Sequence, residues 1–304
     1  MKKIPLESTI VGSYSFLFRN IISIIGTMWF PVLVMAALIG AFICQLIPHE
    51  WLQGHFPQHF DDHDVGKYIL SRLPVFAGGM TGLFVAGLLV RSMVDVNLLR
   101  HATGEKTSVT LIWFSLGARV WMMLAVLFIG FVSYLILEYG AIFLILAANG
   151  VLAVIPNLPH VLIPVTNVVL GAAVVIVAVY VYLRLMFFLP AVVVAERRVS
   201  PARSWQLGKG NVFRMVVVLL AIFVPASAVF GVAVYATFIS TIVVEAVRQH
   251  PEGPAKALEF LKSLLPLLPV LLVMCLILAV VLKGLMFGAM GRAYKAVIAP
   301  EETK

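Results

Sequence analysis

The sequence predicts an all-α polytopic membrane protein with six transmembrane helices. Three observations predict it: extreme apolarity, six long apolar runs, and a lopsided placement of basic residues. Of 304 residues, 62% are hydrophobic and 12% charged, and the mean hydropathy is +1.06. A soluble domain is about half apolar and a quarter charged, and no soluble core of this size hides so much apolar surface. The net charge of +8 would suit nucleic acid. The cations, however, stand between apolar runs, where cytoplasmic loops and anionic headgroups account for them. No nucleic acid partner is expected.

A span needs about 20 mostly apolar residues. Ile21–Ile47, Leu73–Val94, Val120–Leu137, Val165–Leu189, Met215–Val244 and Leu267–Met290 each qualify. Met1-Lys2-Lys3 resembles the start of a signal peptide. The first apolar run begins only at Ile21 and exceeds an h-region of about 7–15 residues, so it reads as a retained span. Ala141–Ile155 is apolar but short, carries Asn149-Gly150 and precedes Pro156 and Pro159. It is expected to be an interfacial or re-entrant segment, with a full span as the less favoured alternative. Cys44 and Cys275 lie in apolar runs with no CxxC motif and read as small buried hydrophobes.

Charge sets direction. One set of span ends carries Lys2, Lys3, Arg19, Arg100, Lys106, Arg119, Arg197, Arg198, Arg203, Lys209, Arg214, Arg292, Lys295 and Lys304; the other carries Lys67, Arg72, Arg248, Lys256 and Lys262. The richer side is cytoplasmic by the positive-inside rule. The expected location is the bacterial inner membrane, with both termini in the cytoplasm.

The chain reads as a single membrane domain, 1–304, containing three parallel repeats at 1–106, 107–198 and 199–304. Ser108 and Trp113 are echoed by Ser200 and Trp205, and a Leu-Gly pair follows each tryptophan (Leu116-Gly117, Leu207-Gly208). Tyr14 to Asn20 is a looser copy before the first span. Each unit would be an amphipathic lead-in helix, a span outward and a span back. In the last lead-in helix Ser200 is the expected N-cap and Pro201 the first helical residue, with Trp205 at headgroup depth.

Four cations are candidates for anionic headgroups. Arg91, Arg184 and Lys283 sit near the inner ends of the even-numbered spans, each followed by a methionine (Met93, Met186, Met286). They are either snorkelling anchors or a threefold set that binds an anionic headgroup or an amphiphile's phosphate. Asp95, one helical turn after Arg91, can pair with it. Lys209 stands in Gly208-Lys209-Gly210-Asn211, a turn that is a hinge or, less favoured, a phosphate-binding helix start. Thr103-Gly104-Glu105-Lys106 lacks the glycine spacing and preceding strand of a phosphate loop and is rejected as one. Glu138 and Glu245 are expected to reach water at the outer span ends.

In the first outer loop His55, His59 and His63 lie beside Asp62. Imidazole with carboxylate suits zinc, and His59 and His63 are four apart, but Pro57 interrupts the segment. A solvated loop is the favoured reading, with metal binding and a pH-sensitive loop the weaker ones. No cofactor is expected. No nucleophile–base arrangement is visible, and the chain is expected not to be an enzyme.

From Arg184 to Phe213 the chain resembles a known group. Arg184-Leu185-Met186-Phe187-Phe188-Leu189-Pro190-Ala191-Val192-Val193-Val194-Ala195-Glu196, then Ser200-Pro201-Ala202-Arg203-Ser204-Trp205-Gln206-Leu207-Gly208-Lys209-Gly210-Asn211-Val212-Phe213, resembles a bacterial six-span family similar to the membrane domain of glycerophosphoryl diester phosphodiesterases. The resemblance implies membrane location and lipid contact. It does not imply phosphodiester hydrolysis, which belongs to a separate soluble barrel. The expected function is therefore contact with, or handling of, membrane lipid or an amphiphile. The alternatives are a scaffold or accessory subunit with a membrane-protein partner, for which the small-residue face at Gly78, Gly79, Gly82 and Gly87 is suited, and a small-solute transporter. The clustering of ionisable residues at span ends argues against transport.

Overall fold

The computed structural model describes residues 3–46, 62–105, 116–153, 162–239 and 268–299. Helix α1 spans Leu6–Leu46, α2 Asp62–Ala102, α3 Ala118–Ala153 and α4 Leu162–Met186. Two short helices follow, α5 at Leu189–Glu196 and α6 at Pro201–Leu207, then α7 at Val212–Val234 with a π turn to Ile239, and α8 at Leu268–Ile298. Among the described residues there is no strand. Among the described residues six helices are long and apolar enough to cross a membrane. The chain is a multi-pass membrane protein, and only helices (or closed barrels) satisfy the backbone in lipid.

The third span departs from expectation. Ala141 does not begin a separate interfacial or re-entrant segment; α3 runs unbroken to Ala153. No proline interrupts 118–153, and Gly150 costs only about 1 kcal/mol relative to alanine. In lipid, where a freed N–H finds no water, the helix is the better solution. The cysteines also differ. Cys44 and Cys275 are exposed on the flanks of α1 and α8, where the hydrocarbon replaces a protein core as their apolar surroundings.

Helix α1 contains one non-helical residue, Asn20 (φ −118°, ψ 16°), between its first turns and the span. Asn211 takes nearly the same conformation (φ −115°, ψ −2°) between α6 and α7. Before α7 the expected cap is present, with the Ser200 side chain accepting from the Arg203 N–H and Pro201 in the first turn. Ser108 and Trp113 lie outside the described residues.

Packing is concentrated at the basic end. There the ends of α2, α4 and α8 meet the starts of α1, α3 and α7, and the buried residues cluster around Met93–Leu99, Met186–Val194 and Leu285–Tyr294. Toward the opposite end, large apolar side chains such as Phe143, Leu146, Val168 and Ile176 are exposed, as lipid-facing residues should be. Close approach of α8 depends on small residues. A Cβ on Gly291 would lie 2.8–2.9 Å from Ala102, backbone included, and one on Gly288 would lie 2.9 Å from Phe16.

Candidate functional site

The segment from Arg184 to Asn211 forms one structural unit at the basic end. Helix α4 ends at Met186, leaving carbonyls without helical partners. Ser204, fully buried, donates its hydroxyl to the Leu185 carbonyl at 2.6 Å. Arg184 donates Nε to the Trp205 carbonyl at 3.2 Å and a terminal N–H to the Tyr180 hydroxyl at 2.9 Å. Its guanidinium also lies 4.0 Å from the Trp205 ring centroid, a favourable cation–π contact. Gly208 lets α6 rest on Arg184, since a Cβ there would stand 3.0–3.3 Å from that residue's Cγ, carbonyl oxygen and Cα. Trp205 thus serves Arg184 as well as any headgroup.

Between α4 and α6 lies α5, whose residues Leu189, Ala191, Val192, Val193 and Val194 are all buried. A helix that is apolar all round must be enclosed, and α5 is enclosed by α2, α3, α4, α6 and α8. It ends at Arg197, whose left-handed backbone (φ 53°) turns the chain toward α6. Glu196 then accepts hydrogen bonds from Arg198, from Arg203 at 3.3 Å and from the Tyr294 hydroxyl at 3.0 Å. One carboxylate therefore ties α5 to α6 and α8.

The turn before Val212 also has a structural task. Asn211 accepts the Ile4 N–H at 3.0 Å, and Arg214 donates to the Ile4 carbonyl. The Gly-Asn turn holds the start of the chain, with Ile4 fully buried. Lys209 beside it is exposed. The Thr103-Gly104 turn is a helix C-cap: Gly104 has φ +76°, and the N–H groups of Thr103 and Glu105 bond back to Leu99 and Arg100. Glu105 then pairs with Arg119 at 2.6 Å, joining α2 to α3.

The three span-end cations do not share one environment. Arg91 pairs with Asp95 at 3.6 Å, as the one-turn spacing predicts, and keeps 60% of its side chain exposed. Lys283 of α8 bonds to the other oxygen of Asp95. Asp95 is buried, so two cations converge on one enclosed carboxylate. Arg184 instead has Trp205 and Tyr180. The Lys283 pairing was not readable beforehand; the signal was an acid, Asp95, standing beside an apolar run. Nearby, Asn97 donates to Thr27 at 2.7 Å between α2 and α1, both fully buried.

His55 and His59 lie outside the described residues. Asp62 and His63 open α2, and their side chains are likewise not described. Among the described residues no group of three His, Cys, Asp or Glu side chains gathers.

A lateral groove of about 420 Å³ lies between α1, α7 and α8, walled by residues including Leu17, Phe18, Pro225, Phe230, Ile277 and Val281. No charged residue lines it. Pro225, in its wall, lacks an N–H and so frees the Ala221 carbonyl one turn earlier. The Tyr14 hydroxyl of α1 donates to that carbonyl at 3.0 Å. Tyr14→Phe is expected to destabilise the fold by about 1–3 kcal/mol, the cost of a buried unsatisfied carbonyl. In a Pro225→Ala background, where the helix supplies the N–H, the same change should be close to neutral. Unfolding titrations of the four variants check this, and equal effects in both backgrounds would count against the assignment.

Among the small residues, Gly79 packs on Phe42 whereas Gly78 and Gly82 have nothing nearby. No curated protein matches the chain, and no solved structure matches it. Residues 161–290 match the family model described as the membrane domain of glycerophosphoryl diester phosphodiesterase, the group that the Arg184–Phe213 segment resembles.

Proposed function

We propose that the chain is a non-enzymatic protein of the bacterial inner membrane, with cytoplasmic ends, that contacts or handles an anionic lipid or amphiphile. The observation that carries this reading is the groove between α1, α7 and α8. It is uncharged along its walls and of a volume that suits small-molecule sites of roughly 300–1,000 Å³. An acyl chain fits such a wall, and cations at the basic end suit its phosphate. The family match is consistent with membrane location and leaves the ligand open.

Of the four candidate cations, Arg91 and Lys209 carry the headgroup proposal best, because Lys209 is exposed and Arg91, although paired with Asp95, keeps 60% of its side chain exposed, whereas Arg184 and Lys283 are more enclosed by their protein partners. Each exposed cation near an anionic surface contributes roughly 1 kcal/mol, about a fivefold change in retention. Arg91→Gln with Lys209→Gln is therefore expected to lower co-purified anionic lipid by about twentyfold or more. Native mass spectrometry after gentle extraction measures it, at matched yield. Unchanged lipid in the double variant would sink the proposal for these two residues and leave snorkelling as their role. A second reading, a scaffold that docks a partner helix, is favoured only by the open Gly78 and Gly82 on α2.

A further inference from the structure

The continuation of α3 to Ala153 changes the setting of Glu138. Apart from Arg119, it is the only charged residue on that helix. Residues 120–137 before it and 139–153 after it are almost wholly apolar. At about 1.5 Å per residue, each arm is roughly 20 Å or longer, against a hydrocarbon core of about 30 Å. The two arms together exceed that core, so one end of α3 lies outside it; across the helix pair Glu138 shares a groove wall with Val174, Val175 and Val179, in the interior of the apolar run of α4. The facing helix offers no counter-charge, for α4 is uncharged from Leu162 to Leu183. Among the described residues no ion pair includes Glu138.

Glu138 opens into a second lateral groove, of about 430 Å³, between α3 and α4. Its walls include Tyr134, Ala141, Val175, Val179 and Tyr182. The Tyr134 phenol stands one turn before Glu138, so the two share a helix face. An acid flanked by two phenol rings in an apolar slot is the chemistry that receives an ammonium ion: the carboxylate supplies charge and the ring faces supply cation–π attraction. The apolar walls suit an alkyl chain. A charge at this depth is costly unless paired, and a cationic guest supplies the pair.

We infer that the α3–α4 groove binds a cationic amphiphile, an alkyl chain bearing an ammonium head, with Glu138 as its counter-ion and Tyr134 and Tyr182 beside the head. The site is distinct from the α1–α7–α8 groove and does not rest on the anionic-headgroup reading.

Equilibrium dialysis of radiolabelled dodecyltrimethylammonium against the full chain in maltoside micelles tests it. The expected result is one saturable site, displaced by unlabelled cation and not by dodecyl sulfate or dodecanol. Glu138→Gln, nearly isosteric, should weaken binding at least tenfold, and Tyr182→Ala severalfold. Val175→Trp, which fills the groove and leaves the carboxylate in place, should also abolish binding. Circular dichroism and gel filtration confirm that each variant is folded. The inference is overturned by any of three results: no saturable site in the parent chain, equal affinity in folded Glu138→Gln, or equal displacement by dodecyl sulfate. Retention of anionic lipid in the Arg91 and Lys209 experiment is unaffected by any of these outcomes, so the two proposals fail separately.

Discussion

Replacing Asp95 with leucine is expected to destabilise the folded protein by about 3–5 kcal/mol, the usual consequence of leaving one member of a buried ion pair without its partner. The stranded charge would be Lys283, whose ammonium bonds to Asp95 across the α2–α8 interface. Arg91 matters less, because its side chain is 60% exposed and can turn to water or headgroups. The converse variant, Lys283→Met, leaves Asp95 with only Arg91 and should cost less than Asp95→Leu. Combining the two removes both members of the pair. The double variant is expected to recover most of the loss, since apolar replacement of a buried pair is often neutral. Unfolding in mixed detergent micelles, with the four chains in parallel, gives the coupling. Additive losses would mean that the two side chains do not interact in the folded state.

Phe188→Ala is expected to cost about 3–5 kcal/mol, the range for truncating a fully buried phenylalanine. Phe188 has no exposed surface, stands edge-on to Phe187 with ring centroids 5.0 Å apart, and fills the corner between α4 and α5. Because five helices pack around α5 and its residues 191–194 are buried, its surroundings cannot collapse readily into the void, which places the cost high in that range. Phe188→Leu should retain much of the stability. The same unfolding assay reads both, and a loss under about 1 kcal/mol for the alanine variant would show that the corner relaxes.

Much of this architecture was legible in the sequence because lipid imposes a simple rule. Each span must be a run of about 20 apolar residues, and no alternative backbone is available. The Arg91–Asp95 contact was legible for a local reason, as residues four apart share a helix face. The continuity of α3 through Asn149-Gly150 was not legible, because Asn-Gly breaks helices in water, where a freed amide finds a partner, and lipid offers none. What linear reading could not supply were partners distant in sequence: Lys283 with Asp95, Tyr294 with Glu196, Tyr14 with the Ala221 carbonyl. Pro225 announced an orphan carbonyl but not who would fill it. Likewise the Arg184–Phe213 segment was recognisable as a pattern, while the roles of Ser204, Trp205 and Gly208 in gripping the end of α4 appeared only in three dimensions.

The anchoring of Ile4 by Asn211 and Arg214 has a consequence for biogenesis. Ile4 must wait for partners made about two-thirds of the chain later. The long face of α1 must wait longer still, since Gly284 and Gly288 of α8 seat Leu17 and Phe16. Insertion of individual helices therefore precedes the closing of the bundle, and that closing is non-local, the slow kind of step in folding. In the interval Ser13 and Thr9 are held by their own helix, through the Ile10 and Pro5 carbonyls. The opening helix is chemically self-sufficient while it waits.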